Sequence, residues 1–370
     1  VRATKPNIVA AIALMVAGPI MFLLVPMYIG AIADSYDYAP GKLGLLASAD
    51  LLGIMVASLF APLVINRINW RLSSLLIFIG VISCNYLSVF IASFTALFCL
   101  RLFIGLLTGV VMAISASVLS YTSTPDRLFA IAVFTQVSFQ TASFLILPGI
   151  IEQWLLEGFL YFVIGVQLLA LPLLWYLPAN LQHVSHTQEL SMETRRSRRH
   201  CLVVLASMLF FWVAQAGVFS FVDMIGNDNG LDDQSVGLAL SISTFIGLGG
   251  PLCAAICGDR FGRFWPVAIA GCVQIMVLAL FESMTGLTGY TVLLALFQFF
   301  WTLVIGYQFG ALVSADSSHR FVAVVPAASS AGIALGPLLG GYALEQGGHT
   351  LLYIVCGAAL FIYMALLLPN

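Results

Sequence analysis

Asp50 and Arg101 are the ionisable residues that stand well inside the long apolar runs of this chain. Placing such a group in hydrocarbon costs at least about 2.5–3.5 kcal/mol on insertion scales, so its presence points to function. Each lies roughly six residues, or about 9 Å, in from the outer end of its run. Equal depth permits an ion pair. A nearby cation favours the charged form of a carboxylate and burial disfavours it, so the proton affinity of Asp50 would depend on where Arg101 sits. Two other readings stay open. The pair could be static and pin two helices together. Alternatively, Arg101 could anchor an anionic solute, since its planar fork suits a carboxylate. Gln136 and Gln140 add two amides one helical turn apart. Facing lipid they would be costly, so they are expected to face the protein interior.

The elements that must position these residues are membrane helices. Of 370 residues, 61% are hydrophobic and 8% charged, against roughly 25% charge in soluble domains. Twelve crossings of ~20 residues would use about 240 and leave short connections. Spans 1 to 6 are expected at Ile8–Ala33, Lys42–Ile65, Leu72–Ala92, Thr95–Tyr121, Leu128–Ile151 and Phe159–Leu177. Spans 7 to 12 follow at Cys201–Ile225, Gln234–Cys257, Trp265–Ser283, Tyr290–Ser314, Arg320–Leu344 and Leu351–Leu368. The polar stretch from Pro178 to His200 ends in Arg195-Arg196-Ser197-Arg198-Arg199 and is the one long connection. The expected division is a six-helix bundle over 1–178, a cytoplasmic linker over 179–200, and a second bundle over 201–370. The linker's basic cluster fits an anchor on anionic lipid better than a regulator site. Apart from Lys42 and Arg101, the lysines and arginines fall in every second connection. That bias predicts that both termini are cytoplasmic. The expected location is a bacterial inner (plasma) membrane. The first apolar run is too long for a cleavable signal and lacks a small-residue cleavage pattern.

Between spans 8 and 9 lies Gly258-Asp259-Arg260-Phe261-Gly262-Arg263, a charged turn with two glycines. A worn copy, Asn66-Arg67 within Ile65 to Arg71, follows span 2, and Asn66 to Asp259 is 193 positions. The same interval carries Gly44 onto Gly237, Ser48 onto Ser241, Arg127 onto Arg320, Glu152 onto Glu345 and Gln153 onto Gln346. Matched charges at helix ends indicate two homologous halves. Asp50 and Arg101 have no charged counterpart, since their partners are Ser243 and Leu294.

The turn Gly258 to Arg263 between membrane helices resembles the loop signature of the major facilitator superfamily. Leu100-Arg101-Leu102-Phe103-Ile104-Gly105 with Gly109 resembles the arginine-containing signature of span 4 in its proton-coupled members. The resemblance implies an all-α membrane protein with twelve transmembrane helices in two pseudo-symmetric six-helix bundles. It implies Asp50 and Arg101 as the proton-coupling residues. It also implies a cytoplasmic gate of Asn66, Arg67, Gly258, Asp259, Arg260, Gly262, Arg263 and Arg320. Spans 1, 4, 7 and 10 would line the cavity, which makes Tyr28, Arg101, Thr108, Trp212, Gln215, Gln298 and Trp301 substrate-binding candidates, joined by Gln136 and Gln140 of span 5. About half of the aromatic residues could equally be helix packing. In the superfamily's antiporter branch a Gly-Pro-Gly-Gly pattern sits in span 5. Here Gly336-Pro337 with Gly340-Gly341 sits in span 11, and span 5 carries Gln136, Gln140, Ser143 and Pro148 instead.

The expected function is a secondary transporter for a small amphipathic organic solute, working by alternating access and coupled to protons. The alternatives are a drug or metabolite efflux antiporter and a non-transporting membrane sensor on the same fold. The expected partners are the lipid bilayer, the solute and protons, for a monomer with no nucleic acid. No cofactor or metal is implied: there is no Gly-x4-Gly-Lys-Ser/Thr motif, and Cys253 and Cys257 share a helix face without a histidine or carboxylate near them. Nor is there a histidine–carboxylate cluster or a nucleophile beside a base, as an enzyme would need.

Overall fold

The structure is a computed structural model that describes residues 3–65, 67–122, 124–179, 195–258, 260, 262, 264–283, 286–315 and 325–367. Among these residues the chain is helical and has no strand. That is the expected answer to an apolar solvent, because a helix satisfies its own backbone where no water can. The first apolar run is broken into α1 (Lys5–Ala17), α2 (Ile20–Leu23) and α3 (Val25–Ser35). Then come α4 (Pro40–Val64), α5 (Trp70–Ser88), α6 (Phe94–Ser120) and α7 (Pro125–Ala170), with a 3₁₀ turn at Leu171–Tyr176. The remaining elements are α8 (Arg195–Asp228), α9 (Asp233–Gly247), α10 (Gly249–Cys257), α11 (Phe264–Leu280), α12 (Leu287–Ala315) and α13 (Val325–Leu367).

Among the described residues, eight helices are long and apolar enough to cross a membrane. Two of them, α7 and α13, each hold two of the expected spans, folded back at Leu155 and at Gly347-Gly348. The expected first span is in three pieces, and α11 is a short apolar helix. Large apolar side chains such as Leu76, Phe134, Leu169 and Phe361 are exposed, as lipid-facing positions should be.

Several ends are set by local chemistry. Asn69 caps α5 by accepting from the Leu72 N–H at 3.0 Å. Asp232 caps α9 by accepting from the Ser235 N–H at 3.3 Å, and hydrogen bonding to Ser235 holds its carboxyl below the usual carboxylate range. Pro125 opens α7, where its missing N–H is no loss.

The 193-residue interval holds in the helix bounds. Pro40–Val64 falls on Asp233–Cys257, the span of α9 and α10 together, and Phe94 at the start of α6 falls on Leu287 at the start of α12. Close packing follows it too. A methyl at Gly109 would meet Ala57 and Ile54, and one at Gly250 would meet Thr302 and Phe299. Ala57 and Gly109 map onto Gly250 and Thr302, so the same contact is made with the glycine on the opposite helix.

The chain forms two compact units, Val1–Tyr38 with Leu45–His186, and Ala39–Gly44 with Thr187–Asn370. One end of the first unit is a core of Ala10, Leu14, Trp70, Phe78, Val111 and Val118. The Trp70 indole N–H donates to Ile65 O at 2.8 Å, and Arg71 Nε donates to Leu177 O at 2.7 Å. In the second unit Gly41 N donates to a Glu345 carboxylate oxygen at 3.1 Å, and Gly44 packs on Pro337 and Gly341.

Candidate functional site

Three glycines bring α4 and α6 together. Added methyls at Gly53 and Gly105 would collide with the backbones of Leu102 and Asp50, and one at Gly109 with Ala57. Small residues let membrane helices approach to backbone contact. As a result the Asp50 backbone lies against Gly105, one turn along α6 from Arg101. Arg101 is fully buried and Asp50 is 5% exposed.

The two do not form the ion pair that equal depth permits. An ion pair does form elsewhere, between His349 Nε2 and Asp228 Oδ2 at 3.2 Å. Arg101 turns toward α5 instead. Its Nη2 donates to Asn85 Oδ1 at 2.9 Å and to Ser88 Oγ. The guanidinium carbon lies 5.8 Å from the centre of the Tyr28 ring, within cation–π range. Arg101 Nε and Nη1, Asp50 Oδ1 and Tyr28 Oη are buried without hydrogen-bond partners. Buried polar groups are normally paired, yet here four atoms of three residues, two of them on the guanidinium itself, are not.

The broken first span is spliced by amides from α7. Pro19 has no N–H to give Met15 O, and Gln136 Nε2 donates to that carbonyl at 2.5 Å. At the second break, beside Pro26, Gln140 Nε2 donates to Leu23 O at 2.6 Å. Gln136 and Gln140 thus face the interior, as their cost in lipid requires, with their amide nitrogens engaged by the backbone. Thr108 is buried near Gly18 at the first break.

In the second unit, Trp301 meets Trp212 edge-on at 5.8 Å and Phe219 edge-on at 5.5 Å. The Trp301 indole N–H is buried without a partner. Gln298 is buried and reaches Thr244 Oγ1 at 3.5 Å. Gln215 is joined to Gln274 by reciprocal amide bonds of 3.1 and 3.2 Å, and Gln274 also donates to Phe297 O. Of the expected gating residues, Arg67, Gly258, Arg260 and Gly262 are described, while Asn66, Asp259, Arg263 and Arg320 lie outside the described residues. Gly258 has φ 50° and Gly262 φ 62°, which explains the glycines of that turn. Tyr307 Oη donates to Gly258 O at 3.3 Å. An apolar cavity of about 260 Å³ lies between α4 and α6, lined by Ala57, Phe60, Leu106 and Val110 among others. Asp50 and Arg101 are not among its lining residues.

Sequence reasoning missed Asn85, Ser88, Gln167, Gln274 and Asp223. Four of them were within reach of the logic applied to Gln136: a polar side chain inside an apolar span needs an interior partner. Asp223 is different. It is 5% exposed, which corrects the expectation of just two charges inside the spans. The expected seventh span ends at Ile225 and made Asp223 an end residue, whereas α8 continues to Asp228. Tyr290 lies beside Asp223 and its hydroxyl donates to Val222 O.

This pairing of repeated helical units with a buried charged site has a known home. Residues 10–320 match the Major Facilitator Superfamily, and the chain belongs to that superfamily: it is a membrane transporter and not an enzyme. Among solved structures it is similar to the nucleoside transporter NupG, with TM-score 0.74 and 14% identity over 98% of this chain and 97% of that one. A point variant of NupG gives TM-score 0.75 and 13% identity over 98% and 99%. At that identity the likeness is one of fold. No curated protein sequence matches the chain.

Proposed function

We propose that this chain moves a small amphipathic organic solute by alternating access and couples that movement to protons through Asp50 and Arg101. One observation carries the reading. A buried carboxylate and a buried guanidinium lie within electrostatic reach on closely packed helices, yet make no ion pair and keep orphan polar atoms. A static strut would close that contact, because leaving it open costs the desolvation of both groups. A carrier that alternates between a protonated and an ionised acid needs it open in one state.

Tyr28, Thr108, Trp212, Gln298 and Trp301 supply the solute-facing set in this reading, with Arg101 shared between solute and proton. Gln136, Gln140 and Gln215 hold their places through the amide bonds already described, and contribute to the solute only through their remaining valences. Twelve helices in two bundles, a monomer in the inner membrane, cytoplasmic termini and a gate at Asn66, Arg67 and Gly258 to Arg263 with Arg320 complete the proposal. Cysteines placed singly at Ser197 and Asn229 in a cysteine-free background test the orientation. An impermeant reagent outside intact cells should label position 229 and spare 197, and the reverse would overturn it.

The fold likeness to NupG makes nucleosides the first probes. Proteoliposomes with the purified chain, given labelled uridine and adenosine and then a wider panel of amphipathic metabolites, should show uptake that an imposed pH gradient accelerates. Uptake indifferent to the gradient would defeat the proton reading. No flux of any probe, with ligand-induced stabilisation retained, would favour a sensor.

A further inference from the structure

Arg101 stands at one end of a chain of hydrogen bonds that all point the same way. Its Nη2 donates to Asn85 Oδ1 at 2.9 Å. Asn85 Nδ2 donates to Gln167 Oε1 at 3.0 Å, and Gln167 Nε2 donates to Ala17 O at 3.4 Å. The chain therefore runs from α6 through α5 and α7 to the last residue of α1, immediately before the Gly18-Pro19 break. Arg101 and Asn85 are fully buried and Gln167 is 1% exposed, so water has no access to substitute for a lost link.

The direction is fixed by chemistry. A guanidinium has donors and no acceptor. Asn85 must therefore turn its oxygen to Arg101, which leaves its N–H₂ for Gln167. Gln167 must accept with its oxygen, which aims its own N–H₂ at the backbone carbonyl. Reversing any link would set two donors or two acceptors face to face. Ser88 obeys the same rule: its hydroxyl proton goes to Cys84 O at 2.8 Å, so its oxygen can only accept from Arg101.

We propose that Asn85 and Gln167 are positioning residues that hold Arg101 and convey its position to the break at Gly18-Pro19. This rests on the reading of Asp50 and Arg101 as the coupling pair. When Asp50 ionises and draws Arg101 toward it, Asn85 Oδ1 loses its donor, and the two amides are then ordered only from the far end, by the long 3.4 Å bond to Ala17 O. The hold on Ala17 O is weakened, and the α1–α2 joint loosens. Proton loading is thereby converted into freedom of the first span, on which Tyr28 is carried.

Amide hydrogen exchange of the intact protein in lipid nanodiscs, without any added solute, tests this at the segment from Gly18 to Tyr28. Arg101→Leu and Gln167→Leu should each lower protection there by about tenfold, as loss of one buried hydrogen-bond partner would. The double variant should do no more than either single, because each cuts the same chain. Gln167→Glu tests the last link by pH, while the effect of Arg101→Leu on the distant break is the readout that a merely local role of Gln167 would not move. Its protonated acid can donate to Ala17 O and its carboxylate cannot, so protection at the break should be restored at low pH and lost at high pH. If Arg101→Leu does not fold, Asn85→Leu severs the same chain without removing the charge. Additive effects, an Arg101 or Asn85 variant that leaves the break unchanged, or a pH-independent Gln167→Glu would overturn the proposal. Flux by Asp50→Asn bears on proton coupling, whereas exchange in the Arg101, Asn85 and Gln167 variants bears on the hydrogen-bond chain, so the two readings fail separately.

Discussion

Leu155 and Gly348 share an unusual backbone conformation at equivalent points of the two halves. Leu155 has φ 50° and ψ −140°, Gly348 has φ 62° and ψ −161°, and they are 193 positions apart. Each folds one long helical stretch back on itself. The N–H freed after the first bend is not wasted: Leu156 N donates to Ser35 Oγ at 3.1 Å. A side chain is poorly tolerated in this region, which glycine adopts freely, and strain of order 1–3 kcal/mol is usual. The second half carries the residue the bend calls for and the first half does not.

Leu155→Gly should therefore stabilise the protein. Leu155 is 44% exposed, so little packing is lost. Relief of strain, less the entropy glycine gives up on folding, leaves about 1 kcal/mol, or about 2–4 °C in the melting midpoint. Gly348→Leu should do the opposite by a similar amount. Thermal melts in detergent decide it, and a lower midpoint for Leu155→Gly would contradict the strain.

Gln136→Leu and Gln140→Leu should each lower the melting midpoint, because each strands a carbonyl at a break of the first span. The expected cost is about 1–3 kcal/mol per variant. A solute-binding role alone would leave the unliganded midpoint unchanged and weaken ligand-induced stabilisation instead. Melts with and without the best transported probe separate the two.

The amide pair in the second unit makes a different prediction. Gln215→Leu or Gln274→Leu alone leaves a buried amide unpaired and should destabilise by about 1–3 kcal/mol. Changing both should cost less than the sum of the singles, since the orphan is removed with its partner. Strict additivity in that double-mutant cycle would show that the reciprocal bonds contribute nothing.

Much of this was legible in the chain. Apolar runs, charge bias and the Gly258 to Arg263 turn led to the membrane fold and the family, and the 193-residue interval reappears in the bounds of α4 against α9 and α10. The interior polarity of Asp50, Arg101, Gln136 and Gln140 was also readable, because hydrocarbon makes it costly anywhere else. Their partners were not. Arg101 chose Asn85 and Ser88 over Asp50, and that depends on rotation about α6, which residue spacing leaves undetermined. The breaks at Pro19 and Pro26 could be anticipated, but the amides that fill them come from residues more than a hundred positions away. Leu155 gave no signal at all, since leucine is an ordinary helix former and the bend falls between two apolar runs.

Transport by Asp50→Asn in proteoliposomes reads out proton coupling through Asp50 itself. With the best transported probe, uptake is compared with and without an imposed pH gradient, beside counterflow exchange in its absence. The amide mimics a permanently protonated acid. Gradient-driven uptake should therefore be lost while exchange survives, and Arg101→Lys should retain part of the driven uptake, since a cation remains but the fork does not. Full gradient-driven uptake by Asp50→Asn would mean that Asp50 carries no coupling proton.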